Sequence, residues 1–508
     1  MFPNLFLSRI KDINPPSHIK HSRPMNNQRN LNKSAVSALK WTSALQIASQ
    51  AFNFAVGIIL ARLLTPEDFG LVAMVLVFVA LAQVFSDFGL SSAIIQKEGE
   101  PTAKDYSTAM SFSLFLGLLI ALLLYFLSGN LAQFYNQEKI TLIAQTLSLV
   151  FVFNSLTSVP KAKLSREINH KLISIAEMAS SVIAMILAIS LAALDYGYWS
   201  LVAQQLILAF LRLVIIYRFS ALPIKLGFYI SNFKPLFSFS VYVFCTQCLR
   251  QTAVQADKLV VGKFLDSASL GLYTRAYQLM LFPINNISRV LANVMFPVMS
   301  KMQNDRQKVA SVYLKVVRSI SLITFPLMLG LMVVAEEFIV LVYGEPWRDM
   351  GIYLSFFCII GLIMSIATIT GSIYLALGMS KLQFKINIIN QPLQIAGFLV
   401  GIQFGIEGLF IGYFTAYLMS AVITCWNAFR ILEITFFKFI QTITFPLVSG
   451  GAMVVILLLT KHYLQPYQGE SLLLLSQCVT GGLFYGLSIL LFRPKAFYEL
   501  KGTFIKKR

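Results

Sequence analysis

Charge is what this chain has least of. Only 12% of its 508 residues are Asp, Glu, Lys or Arg, about half the share of a soluble globular chain. With 57% apolar residues and a mean hydropathy of +0.72, it cannot cover a water-facing surface with polar groups. Acids are scarcest: 22 against 41 Lys and Arg, for a formal net charge of +19. Four histidines, His18, His21, His170 and His462, lie scattered without metal-site spacing, and neither a phosphate-binding loop nor an Asp-x-Asp pair occurs. No enzymatic constellation, metal or cofactor is therefore expected. The five cysteines, Cys245, Cys248, Cys358, Cys425 and Cys478, all fall in apolar stretches, and an odd count so placed excludes a disulfide framework. Cys245 and Cys248 form a Cys-x-x-Cys without the strand-turn-helix setting of a redox pair and read as packing residues. These absences exclude soluble enzymes, disordered chains and disulfide-stapled domains.

What is present is apolar sequence in long runs. A membrane-crossing helix needs about 20 mainly apolar residues, and fourteen such runs occur, at 35–60, 69–90, 106–127, 140–159, 172–194, 198–217, 233–254, 272–299, 312–335, 352–377, 384–404, 409–429, 443–459 and 471–492. The expected fold is an all-α polytopic membrane protein of about 14 transmembrane helices. The run 272–299 is interrupted by Arg275, Pro283, Asn285, Asn286 and Arg289.

Cations collect in alternate loops, such as Lys161, Lys163, Arg166, Lys301, Arg306 and Lys308, whereas the other loops hold only Arg62, Lys139, Lys263, Arg348 and Lys461. Cytoplasmic loops are the basic ones, so both termini are expected in the cytoplasm and the basic excess reflects topology rather than a nucleic-acid footprint. The basic stretch 1–34, which lacks a leader's continuous apolar core, and the stretch 493–508 are expected to be cytoplasmic tails.

A weak internal repeat divides the chain. An offset of 201 lays Gln46, Gln50, Ala55, Leu64, Gly70 and Leu71 on Gln247, Gln251, Ala256, Leu265, Gly271 and Leu272, with Arg62 opposite Lys263. An offset of 218 lays Lys163, Leu164, Ile168 and Asn169 on Lys381, Leu382, Ile386 and Asn387, and one of 208 lays Gly197 and Leu201 on Gly405 and Leu409. The expected domains are two parallel-repeat six-helix bundles, 35–219 and 233–429, followed by two extra helices over 443–492.

The chemistry-bearing feature is a polar stripe on the seventh run. Gln247, Arg250, Gln251, Gln255 and Lys258 recur every three or four residues and share one helix face. A charge inside a bilayer costs at least about 2.5 kcal/mol, so such a face looks onto water, a partner or a polar cavity. The first run carries a neutral counterpart, Gln46, Gln50 and Asn53, and the two stripes are expected to line a central cavity, with Arg275 a further candidate. The competing reading has Asp257 neutralise one of these cations inside the bundle. Arg212 and Arg318 are expected to snorkel to a cytoplasmic interface, and Asp87 and Glu177 to make contacts between helices, with proton sites the alternative reading.

The stretch Trp41 to Gly89, with Ala61-Arg62-Leu63-Leu64-Thr65-Pro66-Glu67-Asp68-Phe69-Gly70 and Phe85-Ser86-Asp87-Phe88-Gly89-Leu90, resembles bacterial polysaccharide-export flippases of the colanic-acid and teichuronic-acid exporter type, within the multidrug/oligosaccharidyl-lipid/polysaccharide exporter superfamily. Asp257-Lys258-Leu259-Val260-Val261-Gly262, Leu270-Gly271-Leu272-Tyr273 and Pro297 are similar to the same family, and the resemblance covers the chain from about Lys33 onward. It implies an inner-membrane flippase for undecaprenyl-pyrophosphate-linked oligosaccharides, with membrane lipids as surroundings and polysaccharide polymerase and glycosyltransferases as partners. It identifies no single functional residue. A cation-coupled multidrug extruder of the same superfamily and a non-transporting scaffold of an assembly complex are the competing readings.

Overall fold

The computed structural model describes residues 50, 52–222, 226–466, 469–492 and 494. The described residues form no strand, and from Phe52 onward the chain is one compact unit. Among the described residues, eleven helical stretches are long and apolar enough to cross a membrane. The expected fourteen is thus not established as a number. The first expected span lies mostly outside the described residues. The helix carrying the polar stripe is too polar to qualify, and two spans joined by a short turn count as one.

The first half runs α1 (Phe52–Leu63), α2 (Pro66–Asp87), α3 (Leu90–Gln96), α4 (Ala103–Tyr135), α5 (Lys139–Leu147), α6 (Leu149–Arg166), α7 (His170–Ala193) and α8 (Tyr198–Ser220). The second runs α9 (Ile230–Phe264), α10 (Ser267–Pro283), α11 (Arg289–Lys301), α12 (Arg306–Val333), α13 (Ala335–Tyr343), α14 (Met350–Ala376), α15 (Ser380–Gly401) and α16 (Gly405–Leu432), and α17 (Phe436–Leu464) and α18 (Glu470–Phe492) close the chain. The interrupted run 272–299 is α10 and α11 joined through a π-helical turn, Ile284–Ser288. Pro283 withholds a backbone donor there, and such turns mark helix bends.

Helix starts follow local chemistry. Thr65 caps α2 in a reciprocal box with Asp68, with Pro66 in the first turn, where its missing N–H costs nothing. Thr102 and Asp105 repeat the device on α4. Asp266 caps α10 by accepting from Ser269 N at 2.6 Å. Thr65 and Asp266 are related by the offset of 201, so the repeat extends to the caps. Gly197 and Gly405, paired by the offset of 208, both stand at helix starts with positive φ. The offset of 218 is corrected to 210, which aligns the ends of α6 and α14 and the starts of α7 and α15. The sequence match had slipped by two helical turns.

The two ends of the bundle differ. At one end α2 and α10 cross at their N-termini, where Gly70 rests on the Ser267 backbone and Gly271 on the Pro66 backbone. Around this crossing Arg62 donates to the Leu341 and Val342 carbonyls, and Lys139 pairs with Glu67 at 3.1 Å. Lys461 pairs with Glu337 at 2.7 Å, and Arg348 binds Glu336, Glu345 and Glu470. We call this the closed end. Lys97 with Asp105 and Lys161 with Glu177 lie toward the other end.

Candidate functional site

A cavity of about 560 Å³ lies below the closed end, between the first-half helices α1, α2, α6, α7 and α8 and the second-half helices α9 and α10. Its polar lining is neutral amide from the first half, Asn53, Gln83, Asn154, Gln204 and Gln205, and partly cationic from the second, Gln255, Lys258, Arg275 and Gln278. Among the described residues, Arg212 on α8 is the only first-half cation in the lining, and no carboxylate lines the cavity.

The cations differ in how they are compensated. The Arg212 guanidinium lies 2.9 Å from Glu177, which also binds Lys161 at 2.7 Å. It is therefore a paired cavity residue and does not snorkel as expected, while Glu177 makes the contact between helices that the sequence suggested. Lys258 donates to Gln255 Oε1 at 2.9 Å, and Arg275 to Gln278 Oε1 at 3.1 Å. Both are same-helix amide oxygens three residues away, which supply dipole but no opposing charge. Among the described residues Asp257 forms no ion pair with Lys258 or Arg250. It is turned into the protein core, 6% exposed, where its Oδ2 accepts from Tyr273 OH at 3.0 Å and its Oδ1 has no partner.

The expected stripe is divided between two spaces. Asn53, Gln255, Lys258 and Arg275 meet in the cavity, whereas Gln247, Arg250 and Gln251 line an adjoining pocket of about 360 Å³ that shares Ala80 and Gln83 with it. Arg250 is exposed and donates to Gln247 Oε1 at 3.2 Å. Asp87 lines this pocket too, its carboxylate accepting from Ser91 at 2.5 Å. Gln46 lies outside the described residues, and Gln50 outside the compact unit that holds the cavity. The sequence reading missed Gln83, Asn154, Gln204, Gln205 and Gln278. Their signal is an amide inside an apolar span, single at Gln83, Asn154 and Gln278 and paired at Gln204-Gln205, which neither charge nor helical periodicity marks.

Arg275 packs against α1 at Gly57, where a Cβ would sit 3.4 Å from Arg275 Nη1, an ordinary van der Waals contact. By the offset of 201 Gly57 matches Lys258, so the first half has a hydrogen where the second has a cation. Beyond Arg275 the cavity is roofed by Phe69, over whose ring the guanidinium lies at 4.1 Å from the centroid.

A membrane bundle with crossed half-repeats and a central polar cavity defines a transporter-type fold, and comparison with known proteins agrees. A family model described as polysaccharide biosynthesis protein matches residues 59–352, more than half of the chain, and the chain belongs to this family. The lipopolysaccharide biosynthesis protein WzxC of Escherichia coli (strain K12) is 25% identical over 402 residues, 78% of this chain and 80% of that protein. The teichuronic acid biosynthesis protein TuaB of Bacillus subtilis (strain 168) is 25% identical over 357 residues, 70% of this chain and 74% of that one. Among solved structures, the lipid II flippase MurJ in an inward closed conformation shares the fold, with a TM-score of 0.70, 17% identity and coverage of 89% of this chain and 99% of that one.

Proposed function

We propose that the protein is a flippase that moves undecaprenyl-pyrophosphate-linked oligosaccharides across a bacterial inner membrane for surface polysaccharide assembly. The observation that carries this reading is the pair Lys258 and Arg275, which donate to amide oxygens in a cavity that no carboxylate among the described residues lines. Uncompensated cations in a shielded space favour an anion, and guanidinium and ammonium groups are the side chains that bind phosphate oxygens. The amides of α1, α2, α6 and α8 offer donors and acceptors to sugar hydroxyls, replacing water that the headgroup gives up. The lipid tail stays in the bilayer.

Alternating access follows by rocking of one half against the other about the cavity. The cation-rich end faces the cytoplasm, where glycosyltransferases finish the cargo, and the closed end faces the side where a polymerase receives it. The multidrug reading is disfavoured because a pocket for cationic drugs needs acids, and the scaffold reading because it gives the cavity no task.

The test is transfer between leaflets in proteoliposomes with a lipid-pyrophosphate-linked oligosaccharide. The reading predicts protein-dependent transfer, abolished by Lys258→Ala with Arg275→Ala in folded protein. Absence of transfer with several glycans under imposed ion gradients turns the reading toward drug extrusion or a scaffold.

A further inference from the structure

Arg275 stands between the cavity and the closed end, and a single ring joins the two. Its guanidinium lies over Phe69 at 4.1 Å. Phe69 meets the Trp347 indole edge-on, with centroids 5.3 Å apart and planes at 70°. The fully buried Trp347 donates from Nε1 to Ala61 O at 2.7 Å, which latches the segment after α13 onto the end of α1. The residue after Phe69 is Gly70, whose Cα rests on the backbone of Ser267. Phe69 is thus held by the cation on one side, by the latch on another, and by the helix crossing next to it in the chain.

A phosphate group competes with the ring for the guanidinium. Paired hydrogen bonds from arginine to an oxyanion are charge-assisted and directional, and they outweigh the attraction of a cation to a ring quadrupole. We infer that Arg275 is the residue by which the protein admits only diphosphate-bearing cargo to the opening step. The headgroup draws the guanidinium off Phe69, the freed ring releases Trp347, and the crossing of α2 and α10 parts. A cargo of the same shape without the diphosphate fills the cavity and leaves the closed end shut. This inference rests on the reading of the cavity as an anionic-headgroup site.

The test uses the full chain in lipid nanodiscs, with farnesyl diphosphate as probe and farnesol as its uncharged counterpart. Binding is measured by calorimetry, and hydrogen exchange by mass spectrometry in residues 61–70 and 344–349. Farnesyl diphosphate is expected to bind and to raise exchange in both segments at least threefold, and farnesol to leave them unchanged. In Phe69→Leu exchange in both segments is expected to be raised already before the diphosphate is added, with no further threefold rise when it binds. In Arg275→Gln exchange no longer responds. Diphosphate binding with both segments unchanged, or a Phe69→Leu response equal to that of the unaltered protein, overturns the relay and leaves the anion site standing. Absence of diphosphate binding to folded protein overturns the anion site and the relay together.

Discussion

Gly70 and Gly271 sit at corresponding places in the two halves and each presses on the other half's backbone. A Cβ on Gly70 would lie 1.6 Å from Ser267 O, and one on Gly271 would lie 2.0 Å from Pro66 O. Ser267 and Pro66 are themselves related by the offset of 201, so the contact is two-fold symmetric. The obstructing atoms are backbone, which no rotamer change can move aside. Overpacking typically costs about 1–3 kcal/mol, and this case belongs at the upper end. Gly70→Ala and Gly271→Ala are each expected to shift the balance away from the closed arrangement by roughly a hundredfold. Raised hydrogen exchange over residues 61–70 in folded protein would show it; unchanged exchange would mean that the crossing does not hold the end shut.

The division of the polar stripe ranks its members. Losing a charged hydrogen-bonding partner costs about 1.5–3 kcal/mol, so Lys258→Ala and Arg275→Ala should each lower transfer roughly 10- to 100-fold. Arg250 is exposed in the adjoining pocket, and Arg250→Ala should cost less than about threefold by the same reckoning. Initial rates of transfer in proteoliposomes decide the order, and an Arg250 effect as large as the other two would place the headgroup deeper toward the adjoining pocket.

Glu177 keeps Arg212 compensated beside the cavity. Glu177→Gln releases that cation into the lining and raises the field acting on an anion. Binding of inorganic pyrophosphate, measured by calorimetry, should tighten by about three- to tenfold and become more sensitive to salt. An unaltered affinity would remove Arg212 from the headgroup's surroundings.

Arg348 gathers Glu336, Glu345 and Glu470 at the closed end. The hydrogen bonds of Arg348 hold the Glu345 carboxyl below its ordinary value of 4.5, and those of the three glutamates raise Arg348. A depressed carboxylate stabilises the fold above its unfolded pKa and loses that contribution as pH falls through the folded value. Arg348→Gln should therefore lower the melting temperature at pH 7, with the gap to the unaltered protein narrowing below about pH 4.5. A gap that stays constant down to pH 3 would count against the ion network.

Among the described residues, Tyr273 is the only side chain that hydrogen-bonds the Asp257 carboxylate, whose other oxygen is buried without a partner. Tyr273→Phe is expected to destabilise the protein by about 1–3 kcal/mol, the cost of leaving a buried acceptor unmet. Thermal unfolding in detergent measures it, and an unchanged midpoint would indicate that Asp257 finds another donor.

The motif that carried the family resemblance acts locally and at the closure. Thr65 and Asp68 cap α2, and Asp68 Oδ1 also accepts from Tyr198 N at 3.0 Å, tying α2 to the start of α8. Phe69 roofs the cavity beneath Arg275, and Gly70 makes the crossing. In the second motif, Phe88 and Gly89 break the helix with positive φ, and a Cβ on Gly89 would meet Ser240 O at 2.8 Å. The sequence marked these positions, but their partners lie too far along the chain to be read from spacing.

Apolar run length, loop charge and caps are local properties, set by what a bilayer and a helix end demand of about twenty consecutive residues, and the sequence by itself determined them: a helical membrane bundle with its loop charges and helix caps. Tertiary structure decided which polar groups meet. It divided one helical stripe between two spaces and paired Arg212 with Glu177 while leaving Lys258 and Arg275 uncompensated. It also set Arg275 opposite a glycine more than two hundred positions away. The physical reason is that a stripe specifies only one face of one helix, whereas compensation of charge depends on which other helix turns its side chains toward that face.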